Sequence, residues 1–466
     1  MRVLRRQRPT PEQVKIVTRI QQGVSLIRGA AGSGKTTTAL MALRATTGAA
    51  VNQIKNAGGI AANVLVLTYN NSLAGYMSAV ARDELSDFAD DVRVVILTFD
   101  KWAFRSLGWQ GGLAISKAER ALTKLALPFP RDTNFVVDEV SYILGRFRHD
   151  DLNAYLDRPR YGRGGSPQMD KVMRQHLMDE VVLPYLEWKR KNDVRDFHDL
   201  AWAMLNEEAD LKYDVVVIDE VQDFSANQLR AVKQHCDPAV TLTIVTDTAQ
   251  RIYPRGGALQ EAGISVSSAR SFRLSNNYRN TKQIAALAAS IANGLPVDDD
   301  GSLPDPLACT QEGERPVIVY GTFSEQMAYA LDKLSRINLE LDTVGFLHLK
   351  GGKWFNLVRQ TLSGAGYEFC ELQAASEWPE TGGNIGLCTL HSAKGLEFDH
   401  VFIIGLAQEQ ASYGTGDDDD RYENLRRLLA MAVGRGRKTV TLGTKPGEAL
   451  ELLSTIDLSV IDEVGR

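Results

Sequence analysis

The sequence is poor in cysteine and lacks long apolar runs, and both features narrow the class of protein. Its 466 residues include four widely separated cysteines: Cys236, Cys309, Cys370 and Cys388. No Cys-x-x-Cys pair occurs, which argues against a zinc site or a disulfide framework and favours a reducing compartment. No apolar stretch approaches the roughly 20 residues that cross a bilayer, and no apolar signal core follows the basic residues 1–8. We therefore expect a cytoplasmic protein without membrane contact.

Positive charge is not in excess either. The net charge is −5, but nucleic-acid binding depends on where cations lie rather than on their sum, so DNA is not excluded as a ligand. The length and the 44% hydrophobic content allow two or three domains with real cores. The scattered carboxylates of residues 101–195 form no recognisable metal cluster, so the sequence predicts no nuclease site.

A glycine-rich segment carries the clearest chemical signal. It lies between an apolar strand pattern and a helical pattern, and it reads Gly29-Ala30-Ala31-Gly32-Ser33-Gly34-Lys35-Thr36-Thr37. In such a P-loop, backbone N–H groups surround phosphate oxygens and the helix directs its positive dipole end at them. Lys35 would reach the β- and γ-phosphates, while the Thr36 hydroxyl would bind Mg²⁺. The segment predicts a site for a nucleoside triphosphate.

A second motif supplies two carboxylates. The apolar run 213–218 ends in Asp219 and Glu220, the form of a buried parallel strand with acids at its carboxyl end. Beside a P-loop, Asp219 would hold Mg²⁺, and Glu220 would orient and deprotonate the attacking water. The two motifs predict triphosphate hydrolysis but do not distinguish a kinase from a motor.

A series of further boxes resembles, in family order, those of UvrD/Rep-type superfamily 1 DNA helicases. Residues 219–223, Asp-Glu-Val-Gln-Asp, are similar to the family's D-E-x-Q-D box, and residues 277–280, Asn-Tyr-Arg-Asn, to its N-Y-R-S box. Residues 389–398, Thr-Leu-His-Ser-Ala-Lys-Gly-Leu-Glu-Phe, are close to T-x-H-x-x-K-G-L-E-F. Residues 426–435 resemble the last helicase box.

The resemblance implies ATP and Mg²⁺ as cofactors and assigns roles around the nucleotide. Gln13 would read the adenine edge, Tyr278 would stack on the base, and Glu397 would contact the ribose. Gln250 would sense the γ-phosphate, and the arginines Arg279 and Arg435 would stabilise its transition-state charge. Structural ion pairs are the alternative reading of both arginines.

The same resemblance implies contacts with single-stranded or partly duplex DNA. The residues that would make them are Tyr69, Asn70, Thr98, Tyr253, Thr389 and His391. Stacking on aromatic rings and phosphate contacts are the usual means of holding a single strand. Tyr69 is also compatible with an ordinary core aromatic, and His391 with a packing or capping residue.

The fold implied is α/β, with two RecA-like P-loop NTPase domains whose parallel sheets are flanked by helices, plus a small helical insertion. The expected boundaries are 1–100 and 196–270 for the first RecA-like domain, 101–195 for the insertion, 271–450 for the second RecA-like domain, and 451–466 for a C-terminal tail.

Two departures from the family pattern qualify these expectations. Residues 282–388 are only long enough to complete the second sheet, whereas family members that unwind duplexes carry a large additional subdomain there. Glycines at 434 and 436 predict a pliable segment around Arg435, whose placement would depend on DNA or on a partner.

Two functional hypotheses follow. The first is an ATP-dependent DNA translocase or helicase, with 3′-to-5′ polarity taken from the family. The alternative is a DNA-sensing ATPase switch that controls a partner nuclease in a repair or phage-defence complex without processive unwinding. The DNA-facing boxes argue against small-molecule phosphotransfer.

Overall fold

Two parallel β-sheets, each flanked by helices, organise the chain. The computed structural model describes residues 1, 9–29, 32–110, 112–160, 168–207, 211–246, 257–295, 306–372, 378–379, 382–408 and 420–465. The elements up to the end of the first sheet are α1 (Pro11–Val17), β1 (Gly23–Gly29), α2 (Lys35–Asn56), β2 (Ala62–Thr68), α3 (Asn71–Glu84), β3 (Val92–Thr98), α4 (Phe99–Leu107), α5 (Ile115–Ala126), α6 (Thr133–Arg146), α7 (Lys171–Leu177), α8 (Leu183–Lys191), α9 (Phe197–Asn206), β4 (Tyr213–Ile218), α10 (Ala226–Gln234), β5 (Cys236–Thr246), α11 (Ala258–Glu261) and β6 (Ser271–Leu274).

The first sheet has the strand order β3-β2-β4-β5-β1-β6, and its paired strands are all parallel. Its central strand β4 consists largely of β-branched residues, which suit a strand buried on both faces. Because the strands run in one direction, the ends of β1, β2 and β4 lie at one edge. The sheet extends beyond the expected boundary at residue 270, since β6 pairs with β1 through Leu26 and Ser271 to Gly29 and Leu274.

Helices α5 to α8 lie between β3 and β4 in the chain and share a core of their own. Within it, Glu139 of α6 is fully buried and accepts hydrogen bonds from the Tyr155 hydroxyl at 2.7 Å and from Arg160 at 2.7 and 2.8 Å. Burial of that carboxylate is tolerated because both of its oxygens are paired. This helical region corresponds to the insertion that the sequence predicts.

The remaining elements build the second sheet and a small pair of strands. They are β7 (Asn277–Thr281), α12 (Lys282–Ala292), β8 (Cys309–Gln311), β9 (Val317–Tyr320), α13 (Phe323–Leu334), β10 (Val344–His348), α14 (Lys353–Gly364), β11 (Cys370–Glu371), β12 (Ile385–Thr389), β13 (Phe398–Leu406), α15 (Asp420–Val433), β14 (Gly436–Thr444) and β15 (Asp462–Val464).

The second sheet has the order β11-β12-β10-β13-β14-β9-β15 and is also parallel, whereas β7 pairs with β8. Its central strand β13 is buried along its whole length. Strand β15 comes from the expected tail and extends the sheet at its edge. In the described parts of 282–388, every strand except β8 joins this sheet, and no separate subdomain is present.

Helix α3 joins the two sheets by direct contact. The Ser72 hydroxyl donates to the carbonyl of Leu372, and Leu73 packs so closely on Gly395 that a Cβ there would lie 2.5 Å from a Leu73 methyl. Both contacts come from the first turn of α3, which begins just after the end of β2. The carboxyl edges of the two sheets therefore meet beside this helix.

None of the described helices combines the length and the apolar content that a bilayer crossing requires.

Candidate functional site

The glycine-rich loop joins β1 to α2 and leaves the start of the helix without a side-chain cap. Gly32 and Gly34 both have φ of +83°, in the left-handed region that glycine adopts without strain. Ser33 is buried, and its hydroxyl has no hydrogen-bond partner among the described residues. Uncapped N–H groups, a positive helix end and an unpaired hydroxyl fit a phosphate ligand. Ala30 and Ala31 lie outside the described residues.

Gln13 reaches this loop from α1. Its side-chain oxygen accepts from the N–H of Thr10 at 2.9 Å, as the second half of a capping box. Its amide nitrogen lies 3.4 Å from the carbonyl of Gly34, to which it donates. The cap therefore orients Gln13 against the end of the P-loop.

The P-loop helix and the end of β4 meet through one hydrogen bond. The Thr36 hydroxyl donates to a carboxylate oxygen of Asp219 at 2.9 Å, although the residues are 183 positions apart in the chain. The backbone N–H of Asp219 donates to the carbonyl of Leu67 at the end of β2. Burial, followed by the charge of Glu220, raises the pKa of Asp219 to about 7, and Thr36 and Lys35 act in the opposite direction. A hydroxyl and a carboxylate at this spacing fit a Mg²⁺ ion.

Glu220 adopts an unusual backbone conformation, with φ of +54°. Burial alone would raise its pKa, but the positive charges of Lys394, Lys35 and Arg435 outweigh that effect and hold the pKa below its usual value. The left-handed backbone is strained for a residue with a side chain, and such strain is concentrated at functional sites. Glu220 is thus a buried carboxylate that remains ionised among cations.

The second sheet supplies one of these cations from the loop after β12. Lys394 has no exposed surface and donates from its ammonium group to Asp223. The same nitrogen lies 3.7 Å from a carboxylate oxygen of Glu220. Gln222 extends the network, because its amide donates to Glu220 and its oxygen accepts from Thr246 at 3.0 Å. A buried ion pair therefore crosses from the second sheet to the end of β4.

The remaining described residues predicted to contact the nucleotide lie in β7, just before β13, and between α15 and β14. The Arg279 guanidinium pairs with Glu397, and both side chains are largely buried. The N–H of Tyr278 donates to the carbonyl of Gly32 at 3.3 Å, so β7 touches the P-loop. Arg435 is buried and places Nε 3.2 Å from the sulfur of Met431. The contact of Arg279 with Glu397 is the structural ion pair that the sequence allowed as the alternative reading of this arginine.

Comparisons with known proteins agree with this arrangement. The model of the AAA domain family matches residues 13–255, which is just over half of the chain, and the model of the UvrD-like helicase C-terminal domain matches residues 368–445. The chain belongs to the UvrD/Rep-like superfamily 1 helicases. The first match spans the P-loop and β4, and the second spans Glu397 and Arg435, whereas β7 with Arg279 lies between the two matched ranges.

The relatives within this helicase family are distant. DNA helicase IV of Escherichia coli is 24% identical over 269 residues, which are 53% of this chain and 36% of that protein. A probable DNA helicase of Mycoplasma pneumoniae is 24% identical over 49% of this chain and 42% of its own. DNA helicase II of Escherichia coli is 42% identical over only 82 residues, 17% of this chain and 11% of that protein.

The chain therefore spans about two fifths of the length of the first two of these curated relatives. Among solved structures, the C-terminal domain of a possible DNA helicase from Lactobacillus plantarum is 21% identical and covers 40% of this chain and 98% of its own, with a TM-score of 0.29. That score is too low to carry an argument about the fold.

The residues that the helicase resemblance assigns to DNA are divided between exposed and inward positions. His391 is exposed and Tyr69 is half-buried, with the Lys394 ammonium 5.2 Å from the centre of the Tyr69 ring. Asn70 caps α3 through the N–H of Leu73 and donates to the carbonyl of Lys394 at 3.2 Å.

The two threonines of this set are occupied by local hydrogen bonds. Thr98 is buried and accepts from the N–H of Lys101 as the cap of α4. Thr389 accepts from the N–H of Ser392 at 3.1 Å and donates to its hydroxyl at 3.0 Å. Gln250 and Tyr253 lie outside the described residues.

Sequence reasoning assigned no role to four residues that the structure places in the cleft: Asp223, Asn277, Asn280 and Lys394. Each residue belongs to a box of the helicase family, so the sequence marks its position. The sequence does not predict the contacts of these residues, because each bond joins segments far apart in the chain or depends on the turn of β7.

Proposed function

We propose that this chain is an ATP-dependent motor on DNA, which hydrolyses ATP between its two sheets and moves along single-stranded DNA in the 3′-to-5′ direction. The observation that carries the proposal is the contact of Thr36 with Asp219 beside Glu220, facing Lys394 of the second sheet. In this proposal the P-loop, the residues that would hold Mg²⁺ and the general base lie together in one cleft. Family membership supports DNA as the polymer, and the polarity rests on the family alone.

In this proposal the first sheet binds the triphosphate. Lys35 neutralises phosphate charge, and the backbone from Gly29 to Thr37 surrounds the phosphate oxygens. Thr36 and Asp219 would hold Mg²⁺, which neutralises charge on those oxygens when bound. Gln13 contacts the adenine edge because its cap already holds it beside Gly34.

Glu220 is the general base in this proposal. Its pKa lies below the usual value, so the carboxylate is ionised and able to accept the proton of an attacking water. Arg279 and Arg435 stabilise the charge that develops on the transferred phosphoryl group. Arg279 must first leave Glu397, and Glu397 is then available to the ribose. In this proposal, nucleotide binding is therefore coupled to the separation of Arg279 from Glu397.

The link to DNA runs through Lys394 in this proposal. Its ammonium touches Asp223 and approaches Glu220, while its carbonyl accepts from Asn70 and its charge faces Tyr69. A strand that moves Tyr69 or Asn70 would shift the cation that faces the base. Strand binding and hydrolysis are coupled through a single buried side chain, and repeated cleft closure converts hydrolysis into steps.

The test is steady-state ATP hydrolysis with single strands of increasing length. We expect DNA-stimulated turnover that rises with length to a plateau, because a translocating motor spends a larger fraction of its time bound on a longer strand. Glu220→Gln should lower kcat by about 10²- to 10⁴-fold while fluorescent ATP still binds, as expected for removal of a general base. Lys35→Ala should abolish binding as well. Full hydrolysis by Glu220→Gln would refute the assignment of the base.

Polarity has a separate test. Streptavidin bound to one end of a biotinylated strand is displaced only by a motor that moves toward that end. We expect ATP-dependent displacement from the 5′ end and none from the 3′ end. The reverse result would overturn the direction and leave the ATPase proposal standing.

A second candidate is a DNA-sensing ATPase that controls a partner nuclease in repair or phage defence. The observation that favours it is that the described residues between α12 and β12 add no subdomain beyond the second sheet and its small strand pair. Turnover that DNA stimulates equally at every strand length, without displacement from either end, would favour this switch over the motor.

A further inference from the structure

Asn280, at the end of β7, holds the segment that carries Arg435. Its side chain is 2% exposed, and its amide nitrogen donates to the carbonyls of Gly434 at 3.0 Å and of Gly436 at 2.6 Å. These two carbonyls belong to the residues on either side of Arg435. Both amide hydrogens of Asn280 are therefore used to grip one short stretch of backbone.

Asn277 in turn fixes the orientation of Asn280. Its amide nitrogen donates to the side-chain oxygen of Asn280 at 3.0 Å. Its own oxygen accepts from the backbone N–H of Arg279 at 3.0 Å and of Asn280 at 3.1 Å. The side-chain oxygen of Asn280 is thereby identified as an acceptor, which leaves its nitrogen facing the two glycine carbonyls. The positions of both arginines depend on this pair.

The pair also lies directly against the P-loop. A Cβ on Gly32 would fall 2.3 Å from the side-chain oxygen of Asn277 and 2.7 Å from that of Asn280. The carbonyl of Gly32 accepts from the N–H of Tyr278. The P-loop at Gly32 and the asparagine pair are therefore in direct contact.

We propose that Asn280, oriented by Asn277, is a positioning residue that sets where Arg435 stands relative to the P-loop. The inference rests on the proposed function, in which Arg435 stabilises charge on the transferred phosphoryl group. Glycines at 434 and 436 give the segment little rigidity of its own. The carbonyl of Arg435 accepts from the N–H of Phe398 at 3.0 Å, and the amide of Asn280 adds the bonds to the carbonyls on either side of Arg435. Asn280 acts through Arg435 and does not touch the nucleotide.

The first experiment compares the steady-state kinetics of Asn280→Asp and Asn280→Ser with wild type. Asp keeps the size and the acceptor but replaces the donating NH₂ with an oxygen that repels the two carbonyls. We expect kcat to fall about 10- to 100-fold with little change in KM for ATP, because misplacement of a group that acts in the transition state affects kcat alone. Ser retains one donor and should give an intermediate rate. The Ser variant also provides the test if the Asp variant folds poorly.

The matched control is Asn384→Asp, which removes an amide-to-carbonyl bond elsewhere in the second sheet. Asn384 donates to the carbonyl of Leu339 at 2.8 Å and precedes β12, at the end of that strand away from the cleft. This variant should keep the wild-type kcat. An equal loss in both variants would mean that the effect is general destabilisation, and it would overturn the positioning role.

A double variant separates action through Arg435 from an independent effect. Asn280→Asp combined with Arg435→Ala should be no slower than Arg435→Ala alone. Once Arg435 is replaced, a change at Asn280 has no arginine left to misplace. If the two losses multiply, Asn280 does not act through Arg435. A wild-type kcat in Asn280→Asp would also overturn the inference.

Hydrogen–deuterium exchange, measured without nucleotide, tests whether Asn280 holds the backbone around Arg435. Peptides covering residues 431–437 should exchange faster in Asn280→Asp than in wild type or in Asn384→Asp. Unchanged exchange would overturn the inference. A wild-type chain that hydrolyses no ATP would refute the proposed function instead, and the two failures are distinguishable because the exchange measurement needs no hydrolysis.

Discussion

Replacing Lys394 with methionine should be among the most destabilising single changes in the cleft. Methionine preserves most of the length of the side chain but removes its charge, which deprives Asp223, a carboxylate with no exposed side-chain surface, of its ion pair with Lys394. Glu220, whose side chain is 8% exposed, loses its nearest cation from the second sheet. Breaking a buried ion pair by removing one partner costs about 3–5 kcal/mol of unfolding free energy, and we expect a loss of that size.

The assay is urea-induced unfolding of the full chain, run as a double-variant cycle. Lys394→Met combined with Asp223→Asn removes both charges, so the second change should recover about 2–3 kcal/mol relative to the sum of the single losses. The control is Lys438→Met. Its ammonium pairs with Asp342 but is half-exposed, and such pairs contribute about 0–1 kcal/mol.

Two results would refute the reasoning. One is a Lys394→Met variant that unfolds within about 1 kcal/mol of wild type, the range of an exposed pair. The other is strict additivity in the cycle, which would mean that Lys394 and Asp223 do not interact in solution. Either outcome would also remove the route by which strand binding is proposed to reach Glu220.

Two further changes have clear expected outcomes. Gly32→Ala places a Cβ 2.3 Å from Asn277 at a φ of +83°, so the loop should relax away from this conformation. Restoring the conformation on binding costs about 1–3 kcal/mol, so we expect fluorescent ATP to bind about 10-fold more weakly; unchanged affinity would contradict the loop geometry. Tyr213→Phe removes the acceptor for the buried indole N–H of Trp102, 3.1 Å away, and should cost about 1–3 kcal/mol in urea unfolding, whereas an unchanged midpoint would show that the bond contributes nothing.

Local sequence signals predicted the parts of the site that are contiguous in the chain. The P-loop and the end of β4 could be located because a strand, a loop and a helix leave adjacent patterns, whereas the α/β class with two RecA-like domains was implied by the helicase resemblance. The helical insertion between β3 and β4 was expected from the interval that the chain leaves between successive helicase boxes. The roles of these residues remain predictions.

Contacts between distant segments could not be predicted in this way. The pairing of Arg279 with Glu397 joins residues 118 positions apart, and no periodicity records such a contact. The expected boundary at residue 270 places β6 in the second domain, whereas its pairing with β1 joins it to the first sheet, a contact between distant segments that no local pattern records. The segment around Arg435, expected to be pliable, is bonded on both sides of the arginine by the Asn280 amide. The glycine content alone does not predict these bonds.

The contact of Leu73 with Gly395 limits how the two halves of the chain can diverge. Gly395 has φ of +82°, and any side chain there would collide with Leu73. A chimaera that exchanged one half for that of a relative would therefore need a glycine at one position and a matching side-chain volume at the other. The two halves form a matched pair at this point, and substitutions there are expected to be compensated jointly rather than one at a time.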